Sequence, residues 1–119
     1  MEPINLLKKF NLFTDQWSPK VIGELNGQAV KLAKVKGEFV WHDHKNEDEL
    51  FFVVKGKLKI EFRDKVVELG VGEMLIVPKG VEHKPIAEEE TWIMLFEPVV
   101  TKHTGEVRRE LTVDEYEKI

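Results

Sequence analysis

The stretch WHDHKNEDELFFVVKG, residues 41–56, holds two of the chain's four histidines, His42 and His44, on either side of Asp43. A cluster of acids and an apolar run ending at Gly56 follow. Imidazole nitrogens and carboxylate oxygens are the donors that transition metals take. If residues 38–44 form a strand, side chains alternate with period two. His42 and His44 then share a face about 7 Å apart and can converge on one ion. Glu49 would fall on the wrong face of one unbroken strand. Lys45-Asn46-Glu47-Asp48 is a poor strand former, however, and predicts a loop or bulge that lets Glu49 open the next strand in its own phase. The fourth donor must come from elsewhere, and His83, just after Pro78-Lys79-Gly80, is the candidate. His42, His44, Glu49 and His83 together suit one divalent ion of Mn, Fe, Co, Ni or Zn, and do not suit Ca or Mg. Imidazole ligates only when neutral, so binding should weaken below about pH 6.

Such a set needs strands to hold it, and the rest of the sequence predicts them. VIGELNGQAVKLAKV (21–35) carries Asn26-Gly27 between two strand-like runs, a strong hairpin signal. ELFFVVKGKLKIEF (49–62) reads as a second hairpin turning at Lys55-Gly56, with Leu58, Ile60 and Phe62 on one face of its second arm. EMLIVPKGVEHKPI (73–86) reads as a strand, a type I turn with Pro78 second and Gly80 fourth, and another strand. Glu88-Glu89-Glu90 reads as an exposed turn before the last strong strand, TWIMLFEP (91–98). About eight short strands in roughly 80 residues predict an all-β sandwich or small barrel. The ends differ: Pro3–Phe10 predicts a short helix. LTVDEYEKI (111–119) predicts another, with Thr112 as cap, Glu115 three residues on, and Leu111 packed on Tyr116. The expected organisation is one domain over 1–119 with a barrel core at about 30–98.

Strand phase also predicts the surroundings of the site. Val40 accompanies His42 and His44, Phe51 and Val53 accompany Glu49, and Val81 and Pro85 accompany His83. The expected substrate pocket is therefore mostly apolar. Phe39 and Trp41 then face outward, and an apolar patch of that kind is rare on soluble monomers. It predicts a homodimer, unless the apolar N-terminal run from Ile4 to Phe13 covers it. Glu47 and Asp48 read as a solvated acidic loop, and His103 as a solvated or hydrogen-bonded residue apart from the site.

Composition narrows the function classes. The chain has 119 residues, 42% hydrophobic and 34% charged, with a net charge of −4. Its basic residues never run beyond two together, so neither a nucleic-acid partner nor a membrane surface is expected. There is no cysteine for disulfides or thiolate ligands. No apolar run is long enough to span a bilayer, and the N-terminus does not read as a signal peptide, so a cytoplasmic location is expected.

The spacing of these residues resembles the cupin superfamily. The first cupin motif runs glycine, spacer, H-x-H, three or four residues, Glu, six residues, Gly; here it reads Gly37, His42-Asp43-His44, Glu49 and Gly56, with a first spacer of four residues instead of five. The second, G-x5-P-x-G-x2-H-x3-N, reads Gly72, Pro78, Gly80 and His83, with Ala87 at the usual Asn. The resemblance implies a jelly-roll β-barrel of antiparallel strands and a metal held by the two motifs. WSPKVIGELN and HTGEVRRELTV are further similar to small, dimeric cupins of the mannose-6-phosphate isomerase-like kind.

The function expected from this set is a metal-dependent enzyme acting on a small oxygen-bearing, sugar-like substrate by isomerase or epimerase chemistry, with Glu49 as proton shuttle. The alternatives are an Fe(II) dioxygenase and a non-catalytic binding module for a small molecule. Arg63, Arg108 and Arg109 all lie outside the ligand strands, which weakens a phosphosugar reading.

Overall fold

The computed structural model describes residues 1–101 and 115–119. A short helix, α1 (Leu6–Phe10), precedes the strands β1 (Lys20–Leu25), β2 (Gln28–Glu38), β3 (Glu49–Lys55), β4 (Leu58–Phe62), β5 (Val66–Leu69), β6 (Met74–Val77), β7 (His83–Pro98) and β8 (Glu117–Lys118). The long strand β7 is the spine. Along one edge it pairs with β2, and along the other with β4 through His83–Ile86 and with β3 through Trp92–Phe96. β5 extends β4, β6 extends β3, and β1 extends β2, all antiparallel. The sheet curls around an interior of odd-numbered side chains from its spine and neighbours: Ala33, Val35, Phe51, Val53, Ile93 and Leu95, joined by Leu58 and Ile60 of β4.

Two sequence expectations change at the spine. β3 and β4 do not form a hairpin at Lys55-Gly56, because each leaves that corner to pair with a different half of β7. The corner is closed by Thr91, whose hydroxyl donates to the Lys57 carbonyl at 2.9 Å and accepts from the Lys57 amide at 3.2 Å. A Cβ at Gly56 would lie 2.6 Å from that hydroxyl oxygen, and φ is +94°, so only glycine fits on both counts. Glu88–Glu90 are exposed but lie within β7 instead of forming a turn. They are the bend at which the register with β2 jumps from Val35–Thr91 to Gly37–Ala87.

The N-terminal segment packs on the outer face of β2 and β7. Phe10 stacks on Trp92 with ring centroids 4.9 Å apart, and Phe10, Phe13 and Leu32 form a second apolar cluster. Lys34 holds the segment there by donating its ammonium to the Phe13 carbonyl at 2.6 Å. The helix expected over Pro3–Phe10 is shorter, starting after Asn5, whose side chain accepts from the Lys8 amide. At the other end Glu117 and Lys118 pair in parallel with β1, so the helix expected over 111–119 does not include them. Its expected start, residues 111–114, and His103 lie outside the described residues. Among the described residues, no helix is long and apolar enough to cross a membrane.

Candidate metal centre

Residues 38–44 do not continue as one strand. β2 stops at Glu38, and the chain rejoins the sheet only at an isolated bridge between His42 and His83. Two backbone bonds make that bridge, at 3.0 and 2.9 Å. The interruption shifts the strand phase. Phe39 turns inward and stacks on Trp17 with centroids 4.6 Å apart, so the outward pair with Trp41 does not form. Trp41 instead lies under the Arg63 guanidinium at 3.8 Å.

The loop after His44 is tied to the turn before His83. The Gly80 amide donates to the His44 carbonyl at 2.8 Å, and the Asp48 carboxylate accepts from the Lys79 amide at 2.9 Å. Asp48 is therefore a staple between the two sequence motifs instead of a merely solvated acid. The turn is closed by Val81 N–H donating to the Pro78 carbonyl. It sits one residue later than expected and places Gly80 third, where its φ of +81° belongs to a type II turn.

These ties bring His42, His44, Glu49 and His83 together, all buried at 3%, 4%, 2% and 0% exposure. Their candidate ligand atoms all lie within 4.8 Å of one another. Two donors on one ion, each at about 2.1 Å, are at most about 4.2 Å apart, so closing on an ion requires a contraction of about half an ångström. His42 and His83 are oriented alike: each Nδ1 contacts the carbonyl two residues back, Val40 and Val81, at 2.9 Å. With Nδ1 as the donor in those bonds, each Nε2 presents a lone pair. Glu49 Oε1 lies 3.3 Å from His44 Nε2 and 3.4 Å from His83 Nε2.

Buried polar atoms are normally bonded. Here His44 Nδ1 and Nε2, His83 Nε2 and Glu49 Oε1 have no hydrogen-bond partner. Burial and the nearby His83 hold His42 neutral, lowering its pKa to about 4. Burial acts to raise Glu49, but the adjoining Glu97, His44 and His83 side chains outweigh it and keep the carboxylate well below its ordinary range. A neutral His42 imidazole, an ionised carboxylate and unsatisfied lone pairs fit a divalent transition metal.

A narrow cavity of about 30 Å³, open at its mouth to solvent, adjoins this cluster. His42 and Glu49 line it together with Trp17, Phe39, Phe51 and Pro85, and with Ala33, Val35, Ile93 and Leu95 of the spine. Of the pocket residues expected from strand phase, Phe51 and Pro85 lie here. Val53 is buried in the core behind it, and Val40 contributes its carbonyl to His42. Val81 is partly exposed and lines a separate outer groove with Phe62 and Arg63. Sequence pattern missed Trp17 and Phe39. Trp17 is held across the mouth at a positive φ of 57° by its amide on the Lys34 carbonyl and its indole N–H on the Lys36 carbonyl.

Residues 30–99 match the family model described as the cupin domain, and that span contains every one of these candidate ligands. The chain is a cupin. A cupin-2 domain containing protein from Shewanella frigidimarina is 56% identical, covers 80% of this chain and 93% of its own, and superposes with a TM-score of 0.79. Protein NMB1881 from Neisseria meningitidis is 33% identical over 82% of this cupin and 99% of its own chain, with a TM-score of 0.75. The uncharacterized protein YdbB of Bacillus subtilis is 40% identical over 67% of this cupin and 72% of its own length.

Proposed function

We propose that this cupin is a metal-dependent enzyme for a small, uncharged, largely apolar oxygen-bearing molecule, such as a β-diketone, enol or phenol, acting by oxygen-dependent chemistry. His42, His44, Glu49 and His83 would hold the ion. Such an ion supplies polarisation of a substrate oxygen and, if iron, electron exchange with dioxygen.

The observation that carries the reading is the cavity lining. Among the described residues no lysine or arginine side chain lines it, and its polar side chains are His42 and Glu49. A polyhydroxy sugar would lose hydrogen bonds to water there without replacement, and a phosphosugar would bring an unpaired charge. Arg63 is committed on the outer surface to Glu82 and Trp41. Glu49, the candidate proton shuttle, is also a weak base while it is held ionised well below the carboxylate range. These points place the mannose-6-phosphate isomerase-like reading second. Trp17, Phe39 and Phe51 would instead contact a flat apolar substrate and exclude water from it.

The test is turnover of small diketones and phenols by protein loaded with Fe, Mn, Co, Ni or Zn, in air and under argon. Consumption of dioxygen with substrate supports the reading. Turnover under argon with exchange of substrate C–H for solvent deuterium would return it to isomerase chemistry. Inactivity with all five metals would leave a small-molecule binding module.

Self-association remains part of the proposal, on a different surface from Phe39 and Trp41. β6 pairs only with β3 among the described residues, and it exposes Met74 and Ile76 at 55% and 53%. An uncharged apolar edge is a feature that soluble proteins normally protect. A second copy, added edge to edge about a two-fold axis, would protect both edges at once. Ile76→Lys should then shift a sedimenting dimer toward monomer, whereas a parent that sediments as a monomer at tens of micromolar removes the idea.

A further inference from the structure

The barrel interior holds a second polar cluster that the metal ligands do not account for. One register position beyond the Leu50–Phe96 pair, Glu49 of β3 stands opposite Glu97 of β7, both pointing inward. Opposed carboxylates on one face are destabilising unless something intervenes. Lys31 of β2 does so. Its ammonium donates to Glu97 Oε1 at 2.9 Å and to the Thr101 carbonyl at 3.2 Å, and both Lys31 and Glu97 side chains are 0% exposed. Glu97 Oε2 is buried without a hydrogen-bond partner, and the Glu97 carboxyl lies against that of Glu49. Tyr116, from the C-terminal segment, closes the cluster: Lys31 Nζ sits 3.8 Å over its ring, and its hydroxyl donates to the Thr101 carbonyl at 3.0 Å.

Stability alone gives no reason for this arrangement. Apolar residues fill the neighbouring interior positions Ala33, Leu95 and Phe51, and replacing a buried ion pair by apolar side chains is often neutral or stabilising. The pair's contact with Glu49 gives a different reason. A metal-ligating carboxylate needs its second oxygen fixed if the first is to hold a constant direction, and partners of this kind are worth about 10–100-fold in metal affinity.

We propose that Glu97 is a positioning residue of the metal centre, held by Lys31 and sealed by Tyr116, and that it fixes the Glu49 carboxylate toward the ion. The C-terminal segment thereby becomes part of the centre although it carries none of the ligands. This inference rests on the metal-binding reading of His42, His44, Glu49 and His83, and not on which reaction the ion supports.

The experiment compares Co(II) affinity and the visible Co(II) spectrum of the parent, Glu97→Gln, and the double variant Lys31→Met/Glu97→Met, with apo-protein melting measured in parallel. Gln offers Glu49 a hydrogen-bond donor, so Glu97→Gln should bind within about threefold of the parent. The double variant removes both buried polar side chains together, so it should melt at or above the parent temperature. Its Co(II) affinity should fall about 10–100-fold, and its spectrum should shift with the freed carboxylate. A double variant that binds Co(II) as tightly as the parent, with the same spectrum, overturns the proposal. If the double variant fails to fold, Glu97→Gln decides: near-parent affinity and spectrum support the hydrogen-bond role, and a loss beyond tenfold overturns it. A parent that binds no Co(II) would instead remove the metal centre itself, an outcome distinct from failure of the Glu97 role.

Discussion

Two polar clusters share one apolar interior and are built on opposite principles. The His42/His44/Glu49/His83 cluster leaves four buried atoms without partners, while Lys31 and Glu97 bind each other at 2.9 Å with the Thr101 carbonyl and Tyr116 around them. Burial without a partner costs free energy, and a fold retains such atoms where a ligand supplies what the chain withholds. Burial with an opposite charge holds Lys31 and Glu97 to each other, and the atoms left over, Glu97 Oε2 and Thr101 Oγ1, do not converge on one point with imidazoles. The first cluster is arranged for a guest, and the second braces the wall beside it.

The sharpest way to break this contrast is to remove the open cluster's donors. His42→Ala/His44→Ala should lower Mn(II) or Fe(II) affinity by more than the roughly 100-fold upper range for outer partners, read by titration calorimetry. Affinity equal to the parent would mean that these atoms are not ligands.

Removing one member of the closed cluster should act on folding. Lys31→Met leaves Glu97 buried opposite Glu49 without its cation, and should cost about 3–5 kcal/mol in urea unfolding of the metal-free protein. Arg63→Ala breaks an exposed, solvent-screened pair with Glu82 and should cost far less. Comparable losses from the two substitutions would contradict the distinction.

Acid should open the gap between the clusters further. The folded pKa of His42, about 4, lies below the ordinary 6.5, so the unfolded chain binds more protons between those values. Stability contributed by neutral His42 is fully present above about pH 6.5 and is lost as pH falls toward about 4. In chelator, cooperative melting should persist at pH 7, and the melting temperature should fall across that window. His42→Gln should flatten the slope, and an unchanged slope would reject the assignment. The same shift corrects the expectation of weaker metal binding below about pH 6 as far as His42 is concerned. This imidazole stays available until pH nears 4.

The smallest effect tests what joins the two motifs. Asp48→Ala removes the acceptor for the Lys79 amide and should cost about 0.5–1.5 kcal/mol with a few-fold loss of metal affinity. No change in either quantity would return Asp48 to a plain surface acid.

The candidate ligands were legible because donor chemistry survives without coordinates: few side chains offer a lone pair to a metal, and here they fall at motif spacing. The β-rich core was legible for a similar reason, since alternation in Leu58–Phe62 and the Asn26-Gly27 turn are local signals. Phe39 is misplaced by a phase carried unbroken from residue 38 to residue 44, while Trp41 does lie against the outer Arg63. The register jump opposite Glu88–Glu90 and the end of β2 at Glu38 depend on a partner strand far along the chain. Trp17 and Glu97 gave no usable local signal.

The sequence by itself determined the candidate donor set, the apolar alternation and the turns at fixed glycines, because those follow from side-chain chemistry and from φ values that few residues can adopt. Only the tertiary structure decided that β3 and β4 part at Gly56 to share β7, that Trp17 crosses the mouth, and that Glu97 and Lys31 meet behind Glu49. Each of these is a contact between residues distant in the chain, fixed by which strands pair and in what register. Register is set by the summed packing of a whole face, which no local stretch of sequence contains.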